Sequence, residues 1–180
     1  MIRSRIKRKY PLWILSIGIL FAITAYCLYE NGLIINITDS MPKGIYWRET
    51  GAIQRNDIVA FCLKPEHQKF ALKRGYLMRA GGNRCQYSEP VIKKVIAIPG
   101  DNVVLSQDDI EVNGKKYFYK TLAKDSHERV LFTYPRGVYT NTSDYWVIGT
   151  GSKQSWDSRY FGPILSESIL YKIQPMLTYT

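Results

Sequence analysis

Thr38-Asp39-Ser40-Met41-Pro42-Lys43-Gly44-Ile45-Tyr46 lies a few residues beyond a long apolar segment and well ahead of two adjacent lysines, Lys93 and Lys94, set in an apolar run. Just before it, Leu33-Ile34-Ile35-Asn36-Ile37 is short and β-branched, so it reads as a strand ending where Pro42 and Gly44 enforce a turn. Ser40 on that turn is a candidate nucleophile. A serine hydroxyl is weak at its free pKa and needs a base, a group that orients the base, and donors for the oxyanion. Candidates for all three lie downstream.

Upstream, five of the 25 basic residues fall in the first nine positions (Arg3, Arg5, Lys7, Arg8, Lys9). The formal charge of +10 is therefore concentrated in a tail, and the rest of the chain carries 20 basic against 15 acidic residues. That balance is mild, and with no basic block or recognition motif it argues against a nucleic-acid partner. Pro11 to Tyr29 is free of charge over nineteen residues, roughly 28 Å as a helix and close to a bilayer core. The run exceeds a signal-peptide core of about 7–15 residues and no Ala-x-Ala-like site closes it, which favours an uncleaved anchor over a removed signal. The expected organisation is a basic cytoplasmic tail over 1–10, a transmembrane anchor over 11–29 and an extracytoplasmic domain over 30–180, the cations keeping the tail inside. At 180 residues the chain allows one domain of ordinary size beyond that anchor. Ser40 stands eleven residues past Tyr29, within roughly 40 Å of the bilayer at full extension.

Cys27 falls inside the apolar run and leaves Cys62 and Cys85 as a pair in an oxidising compartment. They form either a disulfide, contributing roughly 3 kcal/mol in the chain-entropy model, or two unpaired buried thiols. His67 and His127 stand alone among polar neighbours as solvated surface residues, and no metal-ligand spacing exists. Tyr46, Trp47 and Phe61 either seat the domain in the membrane interface or belong to its core.

Further strands are expected over Asp57 to Leu63, Val91 to Ile98, Val103 to Leu105, Ile110 to Val112, Lys115 to Tyr119, Val130 to Tyr134 and Tyr145 to Ile148. Asn113-Gly114 signals a hairpin, Pro135-Arg136-Gly137 and Gly81-Gly82-Asn83 read as turns, and Pro65 to Tyr76 as a short helix ending at Gly75. Leu165 to Lys172 is a short helix or strand. The fold class is mainly β, strand-rich, with one N-terminal transmembrane helix.

Side chains alternate along a strand, so one of Lys93 and Lys94 must face the interior. Burial there disfavours the ammonium form; lowering a lysine from about 10.4 to near 7 takes roughly 4 kcal/mol of desolvation. Such an amine takes a serine proton at neutral pH, and serine–lysine pairs are a known variant of serine catalysis. The alternative is a lysine paired with a carboxylate.

Three ordered stretches, Ser40 to Tyr46, Lys93 to Asp101 (Lys-Lys-Val-Ile-Ala-Ile-Pro-Gly-Asp) and Ser155 to Ile164 (Ser-Trp-Asp-Ser-Arg-Tyr-Phe-Gly-Pro-Ile), resemble the type I signal peptidase superfamily. The compact Ser-Met-Pro, Cys62 to Pro65, Gly75 to Leu77 and Phe161 to Pro163 are most similar to its TraF-type conjugative-transfer peptidases. The resemblance implies a signal-peptidase-like catalytic domain in which Ser40 attacks the scissile carbonyl and Lys93, rather than Lys94, is the general base. Thr38 with the Ser40 N–H would form the oxyanion hole, Ser155 would hydrogen-bond the lysine amine, and Asp157 with Arg159 would buttress the site. Thr38 stands where better-known relatives carry serine, and Gly149-Thr150-Gly151 where they carry Gly-Asp-Asn. No cofactor is implied. The implied function is cleavage of an exported precursor such as a conjugative pilin subunit, with or without its cyclisation. The implied place is the bacterial inner membrane, the catalytic domain periplasmic, in company with other conjugative transfer proteins. The rival readings are a non-catalytic, membrane-tethered assembly factor and a housekeeping signal peptidase.

Overall fold

A computed structural model describes residues 12–79 and 84–179. The expected basic tail over 1–10 and the Gly81-Gly82-Asn83 turn lie outside the described residues. The chain opens with helix α1, Leu12–Glu30. Trp13–Glu30 has a mean hydropathy of 1.6 and no buried share, so this helix has the length and composition to span a membrane. The helix stops at Asn31, whose backbone N–H and side-chain amide both donate to the Cys27 carbonyl. Gly32 then turns the chain with φ 113°, where a Cβ would stand 2.7 Å from that of Arg48. Only glycine lets the chain pass so close.

Among the described residues ten strands follow in two antiparallel sheets. The larger runs in the order β1 (Leu33–Asn36), β2 (Lys43–Glu49), β10 (Ile169–Tyr179), β3 (Ile58–Phe61), β4 (Val91–Ala97), β9 (Trp146–Ile148). The smaller runs β7 (Lys115–Tyr117), β6 (Ile110–Val112), β5 (Val103–Leu105), β8 (Gly137–Tyr139). Helix α2 (Pro65–Arg74) lies between β3 and β4, and a one-turn helix α3 (Ser158–Phe161) follows β9.

β4 joins two cores. Its Val91 and Val95 pack with Val59, Phe61, Leu63, Val147 and Phe161, whereas Ile96 and Ala97 pack with Val103, Ile110, Val112 and Trp146. The register against β9 slips between Val95 and Ala97. An extra residue at such a bulge breaks the period-2 alternation, so consecutive residues Val95, Ile96 and Ala97 are all buried. Upstream of the bulge the alternation is intact, which makes Lys93 interior and leaves Lys94 half-exposed.

Several boundaries differ from the sequence expectations. β2 was hidden by Pro42 and Gly44, which mark a turn only as far as Pro42; Gly44 is inside the strand because a Cβ there would meet the Leu177 carbonyl of β10 at 2.1 Å. Val130 to Tyr134 is not a strand: Leu131 N–H donates to Ala123 O and Tyr134 N–H to Arg159 O, so these groups tie loops together. β8 starts at Gly137 instead, where a turn was expected. Leu165 to Lys172 contains a 3-10 turn at Ser166–Ser168 and the first part of β10, which runs on through Pro175. Beyond Ile173 β10 pairs with β2 alone, so Pro175 stands where one flank of the strand is an edge, beside an irregularity in the register, a setting in which proline is tolerated. Tyr46 and Phe61 are fully buried and Trp47 half-buried, which places the first two in the core and not at an interface. His127 is exposed. His67 is a correction: it is half-buried, edge-on to Trp156 and tilted against Phe161, and burial pushes its pKa down.

Two polar knots hold the connections. Cys62 and Cys85 are disulfide-bonded across the α2 excursion. Within that excursion buried Gln68 donates to Leu63 O and accepts from the Tyr87 and Ser88 N–H groups. Asp101, 3% exposed, accepts from Arg55, the Ile98 N–H and Asn113, clamping the Pro99-Gly100-Asp101 corner to the β6–β7 hairpin. Its hydrogen bond with Arg55, against the counter-effect of burial, lowers its pKa to about 2. The folded pKa lies below the unfolded value, so this stability is present above pH 4 and is lost as pH falls through about 2. Asp101→Asn should therefore lower the urea-unfolding free energy of the detergent-solubilised chain by about 2 kcal/mol at pH 6, and the gap to wild type should close at pH 2. A gap independent of pH would exclude an ionised Asp101 as its source.

Candidate active site

The turn between β1 and β2 is built on one side chain that the sequence reading passed over as a strand residue. Asn36 is 4% exposed. Its Nδ2 donates to the carbonyls of Thr38, Met41 and Pro42 at 3.2, 3.1 and 3.0 Å. Its Oδ1 accepts from the Thr38 N–H and the Thr38 hydroxyl at 3.1 and 2.7 Å. A buried amide satisfied on every side specifies one backbone path. Tyr46 adds a hydroxyl bond of 2.6 Å to Pro42 O. An asparagine at the end of an apolar strand was the signal for this, and it gains meaning only once the turn folds back over it.

Ser40 sits half-buried at the tip of this turn. Its Oγ is 3.4 Å from Thr38 Oγ1, and its N–H makes no hydrogen bond among the described residues. The Ser40 carbonyl accepts from the Gly151 N–H at 3.0 Å. This bond brings the loop after β9 against the turn, and the two glycines of Gly149-Thr150-Gly151 make the approach possible. A Cβ at Gly149 would stand 1.9 Å from Ser155 Oγ and 2.7 Å from Ser40 O; one at Gly151 would stand 2.5 Å from Asp39 O. Each would collide with backbone. Thr150 between them donates to Met41 Sδ at 3.6 Å.

Lys93 is carried by β4, opposite Val59 of β3. The pairing of Lys94 with Ile148 sets Lys93 beside Gly149 on the other flank. The side chain is 2% exposed, and no carboxylate forms an ion pair with it among the described residues. Burial lowers its pKa to about 8, Asp157 pulling it up and Arg159 pushing it down. The expectation was a value near 7; the charge of Asp157 is the opposing influence. Asp157 is held by Arg159 through two short bonds, Nε to Oδ1 at 2.7 Å and Nη2 to Oδ2 at 2.8 Å, with both residues 1% exposed or less. Arg159 also donates to Lys120 O and Ser155 O, and Asp157 accepts from the Gly149 N–H. The pair is thus a buried, fully bonded joint between the late loop, β9 and the Lys120 segment. Ser155 Oγ is buried against Gly149 and has no hydrogen-bond partner among the described residues. Its expected bond to the Lys93 amine is not made in this structure.

Ser40, Thr38, Lys93 and Ser155 all line one cleft of about 910 Å³, which is bordered by Leu28 and Tyr29 of α1. Asp157 and Arg159 lie behind its wall, and Cys62–Cys85 stands apart as a structural bond. Among the described residues no cluster of potential metal ligands occurs. A hydroxyl, a buried amine of lowered pKa and an unbonded backbone N–H around one cleft are the parts of acyl-transfer chemistry.

The pattern of the family described as signal peptidase, peptidase S26, matches residues 8–177. A plasmid transfer protein TraF of Escherichia coli is 33% identical over 161 residues, covering 87% of this chain and 89% of its own. A second Escherichia coli plasmid transfer protein TraF is 31% identical, covering 98% and 99%. A solved signal peptidase I from Enterococcus faecalis aligns at 20% identity with a TM-score of 0.39, over 69% of this chain and 98% of that one. With one pattern spanning nearly all of its length and relatives above 30% identity along most of theirs, the chain belongs to the signal peptidase family, peptidase S26.

Proposed function

We propose that this chain is a membrane-anchored serine endopeptidase in which Ser40 is the nucleophile and Lys93 the general base. The observation that carries the reading is Lys93: an amine 2% exposed, without an ion pair among the described residues, lining the same cleft as Ser40. The division is that of the sequence reading, with α1 as anchor, residues 1–10 in the cytoplasm and residues 30–180 as the periplasmic catalytic domain of an inner-membrane protein. The substrate is an exported precursor whose scissile segment reaches the cleft beside α1. Kinship with proteins named for plasmid and conjugal transfer supports a pilin subunit of a conjugative apparatus as that precursor.

Neutral Lys93 takes the Ser40 proton as Oγ bonds to the scissile carbonyl carbon, and the carbonyl oxygen becomes the oxyanion. The Ser40 N–H, free of other bonds among the described residues, stabilises that charge. Collapse breaks the C–N bond, and the Lys93 ammonium gives its proton to the departing amine. Water, or the precursor's own amine if ends are joined, then attacks the Ser40 ester; Lys93 removes the proton from this second nucleophile and returns it to Ser40. Ser155 and the Asp157–Arg159 joint hold the late loop against Lys93 throughout.

Ser40→Ala and Lys93→Ala should each lower kcat/KM on a pilin precursor by 10³-fold or more, on the order seen for serine nucleophile–base pairs, by intact mass with the detergent-solubilised chain. Product mass separates hydrolysis from cyclisation. Full turnover by both variants would remove the Ser40–Lys93 mechanism, and absence of cleavage by the wild type, on this precursor and on a generic signal-peptide substrate alike, would leave a non-catalytic assembly role.

The base acts when neutral, so wild-type kcat/KM should rise about tenfold per unit below pH 8 and level off above it, half-maximal near the Lys93 pKa of about 8. A profile flat from pH 6 to 10 would remove Lys93 as the base.

Burying the amine opposes folding. The folded pKa of about 8 lies below the unfolded one, so the penalty is complete below pH 8, about 3 kcal/mol, and vanishes above pH 10.5. Lys93→Met should be inactive yet more stable than wild type at pH 7, with the difference shrinking toward pH 10.5. Urea titrations at the two pH values check it, and equal stability at pH 7 would contradict the buried charge.

A further inference from the structure

The Ser40 turn carries a proton whose direction its hydrogen bonds fix. Asn36 Nδ2 faces three carbonyl oxygens and Asn36 Oδ1 faces the Thr38 N–H. Carbonyls only accept and an N–H only donates, so the amide has a single orientation. Thr38 Oγ1 lies 2.7 Å from the same Oδ1. An amide oxygen has no proton to give, so Thr38 is the donor and its one hydroxyl proton rests on Asn36. Toward Ser40 Oγ, 3.4 Å away, Thr38 presents lone pairs only.

We propose that Asn36 is a positioning residue of the peptidase reaction: it clasps the Ser40 turn and keeps the Thr38 hydroxyl proton turned away from the substrate until charge develops on the scissile carbonyl. The inference rests on the reading of Ser40 as nucleophile and Thr38 as oxyanion donor, and it adds when that donor acts. A neutral substrate carbonyl and the neutral Asn36 Oδ1 compete for the Thr38 proton on similar terms, and the amide already holds it. An oxyanion is a charged acceptor, and bonds to charged acceptors are about twice as strong. Rotation about the Thr38 Cα–Cβ and Cβ–Oγ1 bonds then transfers the hydrogen bond from Asn36 to the oxyanion, with no proton leaving Thr38. The resting site offers one oxyanion donor, the Ser40 N–H, and the second joins as the tetrahedral intermediate forms. An interaction made only at that stage raises kcat and leaves substrate affinity alone.

The test compares Thr38→Val in two backgrounds, wild type and Asn36→Ala, with full-length detergent-solubilised protein and a precursor peptide. In wild type, Thr38→Val should lower kcat about 10²-fold while KM stays within about twofold. In the Asn36→Ala background the Thr38 hydroxyl is released to the ground-state carbonyl, so Thr38→Val should raise KM several-fold there and cost less in kcat. If Thr38→Val has the same kcat and KM effects in both backgrounds, Asn36 does not direct the Thr38 proton and the proposal is overturned. If Thr38→Val leaves wild-type kcat unchanged while Ser40→Ala abolishes turnover, the nucleophile stands and the proposal falls. If Ser40→Ala retains turnover, both fall. Should Asn36→Ala fail to melt cooperatively, Asn36→Leu takes its place: it fills the volume and likewise offers the Thr38 hydroxyl no acceptor, so there too Thr38→Val should raise KM several-fold, and an effect on kcat alone would overturn the proposal.

Discussion

A lysine amine held in an apolar strand, with no ion pair among the described residues, is the constraint around which this domain is arranged. Lys93 is 2% exposed, and an ammonium so placed loses hydration that the nearby charge of Asp157 offsets only in part. The carboxylate of Asp157 is near enough to be felt, yet both of its oxygens are engaged by Arg159, one of them also by the Gly149 N–H. Arg159 thereby does two things. It neutralises a buried carboxylate that would otherwise pin Lys93 in its charged form, and its own charge opposes the ammonium. The outcome is an amine that gives up its proton near neutral pH while the strand that carries it stays fixed between β3 and β9.

Bringing the Ser40 turn up to that strand requires backbone contact that side chains would prevent. Gly149 and Gly151 sit where any Cβ would strike Ser155, Ser40 or Asp39, and the Gly151 N–H to Ser40 O bond closes the gap. Gly44 does the same for β2 and β10 one turn away. Of Gly149-Thr150-Gly151 the middle residue is exposed and reaches only Met41 Sδ, while the outer two are fixed by contact. Substituting either outer glycine would move the Ser40 turn and the Lys93 strand apart.

The cleft also draws on the helix. α1 ends at Glu30, and the chain passes through Gly32 into β1 and from β1 directly into the Ser40 turn, so the end of an apolar helix and the hydroxyl lie on one short piece of chain. Leu28 and Tyr29 border the same cleft as Ser40. The far rim is tied down by aromatic contacts, with Trp156 stacked on Phe70 and in contact with Tyr76, His67 and Phe161. The distance between a bilayer-length helix and the site is therefore set by short covalent connections.

Much of this was legible in the residues. The apolar run, the strand pattern around Lys93 and Lys94, the Asn113-Gly114 hairpin, the α2 helix ending at Gly75 and the ordered Ser40, Lys93 and Ser155 motifs all follow from local chemistry: hydropathy, period, turn residues and spacing. What stayed hidden depends on partners distant in sequence. Gly44 reads as a turn residue until β10 lies against it, Val130 to Tyr134 reads as a strand until its N–H groups find loop carbonyls, and His67 reads as polar surface until Trp156 covers it. Alternation required that one of two adjacent lysines face inward, and family spacing chose between them, but only the register of β4 upstream of its bulge buries Lys93 and half-exposes Lys94. Asn36 shows the same division most sharply: its identity is written in the chain, whereas its three donated and two accepted bonds exist only because the folded turn returns five backbone and side-chain groups to one amide.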